Sequence, residues 1–322
     1  MRWLTIGVAV LAALWSAWWF VGRAGIERGA VGAIEAARAQ GWEIGYDDLS
    51  VTGFPNRFDT RIAVPRVTTP DGAISWSAPF VQVFALAYRP RQVIAVVADR
   101  MAFDLPLGRV DVTNDTLRAS ATFTAGETSG LDRATVEAVA LAASGTAGLD
   151  ATVDAAQLAI RRAEGETAYD VALGVEGITP GRALRAAIDP FESLPASVEA
   201  LDLDLEATLD RPLGAAGRVT VTALDLRTAR LAWGDLRVTA SGALDVDAAG
   251  VPEGTLAIEV LGWQAALRLA ASTGLVEAGR LSLLTAGLAG MADEDGRLAL
   301  DLVLEDGGMR LGPIPLGPAP RF

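Results

Sequence analysis

No charged residue occurs between Arg2 and Arg23, and the stretch Trp3 to Gly22 is apolar almost throughout. A bilayer's hydrocarbon core is crossed by about 20 apolar residues in helical form, so residues 3–22 are expected to span a membrane. A cleaved signal peptide has an apolar core of only about 7–15 residues and small residues before the cut. Here the run is longer and ends on Trp15-Ser16-Ala17-Trp18-Trp19-Phe20. Trp18 and Trp19 suit one membrane–water interface and Trp3 the other. Residues 1–22 are therefore read as an uncleaved anchor. Arg23, Arg28 and Arg38 follow the run and only Arg2 precedes it, which leans toward a cytoplasmic domain. A long following domain, however, translocates largely regardless of charge. The expectation is a short cytoplasmic N-terminus and a periplasmic domain on a bacterial inner membrane. Residues 23–41 continue as a helical stalk, rich in alanine and stopped at Gly41.

At Trp42 the period changes from helical to alternating. Phe58, Thr60, Ile62 and Val64 alternate with Asp59, Arg61 and Ala63, the mark of a half-buried strand. Gly53-Phe54-Pro55 breaks the longer run Leu49–Val64, and its proline implies an edge or a bulge. Further strands are expected over 73–77, 80–88, 92–98, 109–112 and 117–123, with lower-contrast Ala/Val/Leu segments through 134–176. Period alone leaves 151–163 as helix or strand. Thr179-Pro180 is expected to open a helix with Leu184, Ala187 and Ile188 on its apolar face, closed by Asp189-Pro190. Residues 42–178 then form one β-rich half, 179–200 a helix and linker, and 201–322 a second half. Leu201, Leu203, Leu205, Ala207 and Leu209 face one way, and Asp202, Asp204, Glu206, Thr208 and Asp210 the other. A one-residue slip would bury the acidic set, so register here is strongly specified. Strands at 218–226, 229–233, 236–246 and 254–261 follow. Helices at 264–272 and 276–291, a strand through Leu298–Leu304 and an extended Pro/Gly-rich tail complete the chain. The fold class is mainly β (α+β): a transmembrane helix, then antiparallel sheets forming a curved groove or a sandwich, with a few short helices.

Composition narrows the chemistry. The net charge is −13, from 27 basic and 40 acidic residues, and every basic residue is arginine. That balance excludes a nucleic-acid binder, which needs a basic stripe, and it makes the helix at 3–22 the membrane link. Cysteine and histidine are both absent. Thiol nucleophiles, His-based triads and the usual zinc sites are thereby removed. Without lysine there is no P-loop lysine and no Schiff base. Carboxylates are the remaining acid–base groups. Asp202, Asp204 and Glu206 read as a solvated strand face. Asp293-Glu294-Asp295-Gly296 lacks the spacing of a calcium loop. Asn114-Asp115-Thr116 matches a glycosylation acceptor only in a eukaryotic secretory setting. No catalytic residue, cofactor or metal is expected, and the chain is read as a non-enzyme.

Two local features stand out. Gly53-Phe54-Pro55 with Arg57 reads either as a bulge with Phe54 capping the core or as a docking lip near the membrane. Trp263, like Trp233, reads as a core anchor first and a ligand platform second.

Four pieces together resemble the bacterial family catalogued as domain of unknown function 2125. They are the N-terminal membrane helix with its stalk, the strand Val51-Thr52-Gly53-Phe54-Pro55-x-Arg57-Phe58, the Gly262-Trp263 step before a helix pair, and the ending Leu304-Glu305-Asp306-Gly307-Gly308-Met309-Arg310-Leu311-Gly312-Pro313-Ile314-Pro315-Leu316-Gly317-Pro318-Ala319-Pro320. The resemblance implies a topology and a location and carries no catalytic residue. More loosely, the layout looks like AsmA-like envelope proteins, which implies lipid handling or envelope biogenesis with acyl chains as partners. The alternative is a membrane-tethered scaffold with a closed core, a protein partner and no ligand.

Overall fold

The computed structural model of the chain describes residues 1–124, 130–146, 148, 150–214, 219–274, 276, 279, 281–312 and 314–321. Residues 1–22 and the stalk are one continuous helix, α1 (Arg2–Ala39). Its length and apolar composition suffice to cross a membrane, as those of an anchor or a signal sequence would. Gln40 caps it and Gly41, at φ 93°, turns the chain. The left-handed conformation there is one that glycine adopts without steric cost.

The chain divides into two compact units. Unit 1 comprises Met1–Thr122 with Gly145–Ala147, and contains α1. One ladder of unit 1 joins β1 (Glu43–Gly45), β4 (Arg66–Thr68), β5 (Ser75–Ser77), β8 (Arg100–Leu105) and β9 (Gly108–Thr113) in that spatial order. The other joins β2 (Asp48–Thr52), β3 (Arg57–Ala63), β6 (Phe80–Leu86), β7 (Arg89–Val97) and β10 (Thr116–Phe123). Every one of these pairings is antiparallel. The break at Gly53-Phe54-Pro55 is thus a hairpin loop between β2 and β3, and not a bulge within one strand.

Unit 2 comprises Phe123–Ser144 and Gly148–Phe322. It is a meander in which each strand pairs with the next. The strands are β11 (Leu131–Gly145, all but its last residue in this unit), β12 (Ala151–Arg162), β13 (Ala168–Pro180), β14 (Val198–Leu209), β15 (Val221–Trp233), β16 (Leu236–Val246), β17 (Pro252–Leu261), β18 (Arg297–Glu305), β19 (Gly308–Leu311) and β20 (Ile314–Pro318). Residues 151–163, ambiguous by period, are strand because β12 pairs along both edges.

Three expectations are corrected. The division placed at 179–200 lies inside unit 2, since β13 and β14 pair across it with Ile178 opposite Val198. Thr179-Pro180 ends β13 and does not open the helix. Thr179 Oγ1 hydrogen-bonds Ser197 Oγ, and α2 (Arg182–Ile188) begins after Gly181. Of its expected apolar face, Leu184 is exposed while Ile188 packs on the core. The two segments expected at 218–226 and 229–233 are one strand, β15, with a register irregularity between Leu226 and Ala229; Arg218 itself lies outside the described residues. The helix pair is α3 (Trp263–Ser272) and α4 (Leu281–Ala289). Part of 276–291, including 277, 278 and 280, also lies outside the described residues, as do Pro313 and Phe322 of the tail.

The core of unit 2 gathers at one end of the sheet. Leu194, Val198, Trp233, Leu236, Val260, Trp263, Leu267, Leu288, Leu298 and Leu300 are buried there together, under α3 and α4. Beside them lies a buried carboxylate, Asp189. Its Oδ1 accepts the N–H and the hydroxyl of Ser193, and its Oδ2 accepts the N–H of Leu194. Burial works to raise its pKa, but those three hydrogen bonds and the Arg185 charge outweigh it and hold the carboxyl below its ordinary value. A depressed folded pKa contributes stability above the unfolded value, near 3.9, and that contribution is lost as pH falls through the folded value. Asp189→Ala is expected to cost unit 2 about 1.5–3 kcal/mol at pH 7, the range for hydrogen bonds to a charged group. Urea unfolding at pH 7 and at pH 3 checks this. The cost should shrink at the lower pH, and an equal cost at both would refute the role of the charge.

Candidate functional site

The tryptophan-rich part of α1 and the Gly53-Phe54-Pro55 motif meet. Trp15 and Trp19 are one helical turn apart on α1 and point the same way. The Trp15 indole N–H donates to the Pro55 carbonyl at 2.9 Å, and that of Trp19 donates to the Arg57 carbonyl at 2.8 Å. Trp19 is 3% exposed and packs with Val51, Phe58 and Ala87, with Ile26 and Ala85 alongside. The Phe58 ring stacks on Trp19 at 5.8 Å between centroids. A glycine is required where that ring crosses the helix: a Cβ at Gly22 would lie 2.7 Å from Phe58 Cζ.

The loop itself is tightly closed. Gly53, at φ 101°, accepts the Arg57 N–H at 2.9 Å, and a Cβ there would lie 2.8 Å from the Arg57 carbonyl oxygen. The Phe54–Pro55 peptide bond is cis. Phe54 does not cap a core: it is 53% exposed and lies edge-on to Trp19 and stacked over Phe20. Arg57 pairs with Asp59 at 2.9 Å. Next to the loop, the Ala87 N–H donates to the Asn56 carbonyl, which brings Tyr88 and the start of β7 alongside.

In unit 2 the apolar sides of successive strands line up in rows across the sheet. One row runs Val136, Leu158, Leu173, Leu203, Ala229, Ala240, Ile258, Leu300, and the next runs Ala134, Ile160, Val171, Leu205, Leu226, Gly242, Leu256, Leu302. In a closed sandwich these central side chains would be fully buried. Here Leu158, Ile160, Val171, Leu173, Leu203, Leu205, Leu226 and Leu256 are all half-buried, and none of them packs into the cluster under α3 and α4. Among the described residues, the apolar face is covered at the Trp263 end and only half-buried along its middle.

The opposite face is wet and charged. Asp170 and Glu206 stand directly opposite each other on β13 and β14, a repulsive arrangement unless a cation intervenes. Arg227, at the β15 irregularity, supplies it, pairing with Asp170, with Asp204 at 2.7 Å and with Glu206 at 3.2 Å. Arg161 pairs with Asp170 from the other side at 2.8 Å. Its hydrogen bond, then that of Arg227, holds the Asp170 carboxyl below its ordinary value. Asp170, Asp204 and Glu206 thus converge around arginine. Asp202 remains on the exposed side of β14.

Trp263 sits in the core at 4% exposure, as does Trp233, whose indole N–H donates to the Pro195 carbonyl. Asn114 is 6% exposed and donates its side-chain N–H to the Ala98 carbonyl, so it closes a turn and is no surface acceptor. Asp293 Oδ1 accepts the N–H groups of Asp295 and Arg297 and shapes its acidic turn. Among the described residues no cluster of carboxylates has the arrangement of a metal site. Sequence reading had no means to join Trp15 and Trp19 to residues 53–58, because no periodicity links positions 38 apart.

A model of a bacterial family, described as an uncharacterized protein conserved in bacteria (DUF2125), matches residues 19–320. No curated protein and no solved structure matches the chain. The match begins at Trp19, the residue that joins the helix to the β2–β3 loop, and takes in both units.

Proposed function

The chain belongs to the DUF2125 family, and we propose that it is a single-pass inner-membrane protein whose unit 2 holds lipid acyl chains on its open apolar face, in a periplasmic role in lipid handling or envelope biogenesis. The observation that supports this reading is the half-buried state of Leu158, Leu173, Leu203 and Leu205 on a sheet face that the described helices cover at one end only. Fully burying a leucine is worth about 1.5–3 kcal/mol, so a row of half-buried ones leaves a substantial driving force for an apolar guest. Contiguous open apolar surface on a folded protein ordinarily marks an interaction site. The small and medium side chains of these rows leave room for a chain to lie against them. The charged opposite face keeps the other side of the same sheet in water. No group in the site performs chemistry in this reading, and the chain acts as a binder, not an enzyme.

A photoreactive phenylalanine analogue at Leu203 of the full chain, irradiated in cells, is expected to crosslink to phospholipid. The same analogue at Asp225, on the charged face, is expected to give none. Crosslinks from position 203 to a protein and none to lipid would replace this reading with the scaffold one. The location is tested separately by a topology reporter fused after Phe322. Activity there in the periplasmic form supports the orientation, and activity in the cytoplasmic form overturns it.

A further inference from the structure

The contacts between α1 and the β2–β3 loop conflict with a loop standing clear of the membrane. If residues 3–22 cross the bilayer, Trp15 lies seven residues inside the run, about 10 Å from its end at 1.5 Å per residue. Pro55 is hydrogen-bonded to that tryptophan. The part of the run N-terminal to Trp15 is twelve residues, about 18 Å, well short of a hydrocarbon core of about 30 Å. The loop must therefore enter the leaflet with the helix.

Its construction suits that depth. Backbone polar groups facing lipid need internal partners. The carbonyls of Gly53, Pro55, Asn56 and Arg57 accept from Arg57, Trp15, Ala87 and Trp19 respectively. Pro55 has no N–H to satisfy. Phe54 leaves half its surface open, and Tyr88, which follows the Ala87 bonded to Asn56, is 61% exposed. Aromatic rings at this position are what a membrane interface favours. Arg89 and Arg91 follow Tyr88 at the start of β7, exposed and without a carboxylate partner among the described residues. Long arginine side chains near an interface extend their charge to the headgroups.

We propose that this end of unit 1 is a lipid-binding tip: Phe54, Pro55 and Tyr88 enter the leaflet beside α1, and Arg89 and Arg91 bind phosphate groups of anionic phospholipids in that leaflet. The chain's overall charge of −13 does not oppose this, because the carboxylate at the tip, Asp59, is already paired with Arg57. The tip rests on α1 being membrane-spanning and is independent of the acyl-chain site in unit 2. It fixes the depth and rotation of α1, so that unit 1 is held against the leaflet.

The chain has no cysteine, so single cysteines carry spin labels without background. Phe54→Cys, Tyr88→Cys and Val10→Cys, each nitroxide-labelled in the full chain, are placed in nanodiscs of phosphatidylethanolamine and phosphatidylglycerol. Collisions with oxygen are expected to exceed those with a water-soluble nickel chelate at all three positions. Lipid exposure at position 10 with water exposure at 54 and 88 overturns the tip while leaving the anchor. Water exposure at all three overturns the anchor and the tip with it. Should Phe54→Cys fail to fold, Tyr88→Cys carries the test alone. Adding Arg89→Gln and Arg91→Gln to Tyr88→Cys is expected to shift that label toward water. An unchanged label overturns the arginines' part.

Discussion

Trp19→Ala is expected to cost unit 1 about 3–5 kcal/mol, the range for removing a large buried aromatic side chain. Trp19 is the meeting point of the helix and the hairpin. Its ring fills the space between Val51, Phe58 and Ala87, and its N–H occupies the Arg57 carbonyl. Alanine leaves a cavity and an unpaired carbonyl at once, and the surrounding rings cannot collapse onto a helix backbone that already touches Phe58 at Gly22. The loss should be local. Amide hydrogen exchange in the full chain is expected to accelerate across β2 and β3 and to stay unchanged in β14 to β16. Trp15→Phe, which removes one indole N–H at a more exposed position, should cost only about 0.5–1.5 kcal/mol. Unchanged protection at Val51 and Phe58 in Trp19→Ala would show that the hairpin does not depend on α1.

Trp263→Ala is expected to destabilise unit 2 by a similar amount, about 3–5 kcal/mol. Trp263 is the first residue of α3, and Gly262 before it turns in the left-handed region at φ 72°. A Cβ at Gly262 would lie 2.8 Å from the Asp235 carbonyl oxygen, so the chain can make this step only with glycine. The turn drives the indole into the cluster of Leu236, Val260 and Leu298. Without it, α3 and α4 lose their main hold on the sheet end. Limited proteolysis should then cut within 263–289 while the strands persist, and the melting temperature should fall by several degrees. Trp263→Phe should recover much of the loss. A melting temperature within a degree of the parent would mean that α3 and α4 are held by other contacts.

The two tryptophans were conspicuous in the sequence as large aromatics, but their roles and those of other segments were legible to different extents. The facing of Leu201 to Leu209 was readable, because side chains on a strand alternate faces and a one-residue slip would bury the carboxylates, while the strand's true bounds, Val198–Leu209, were not. Trp263 was readable as a core anchor because a large aromatic beside Gly262, between a strand ladder and a helix, has few other uses. Thr179-Pro180 misled: a proline suits the first turn of a helix and the end of a strand alike, and pairing of β13 with β14 decided for the strand. The boundary at 179–200 failed for the same reason. A proline-containing linker resembles a domain junction until the strands on either side are seen to pair across it.

The amino-acid sequence by itself determined the apolar helix, the antiparallel β-rich character and the exclusion of histidine, thiol and lysine chemistry. Each follows from local composition or from a period of two or 3.6, which needs no knowledge of distant contacts. Two matters belonged to the tertiary structure alone. One was whether the Leu/Val rows are covered, since burial depends on what packs over a face and not on the pattern that creates it. The other was that Phe54 and Pro55 lie against Trp15 and Trp19. That contact joins segments far apart in the chain through two indole hydrogen bonds and a ring stack, and only the folded backbone brings those groups within reach.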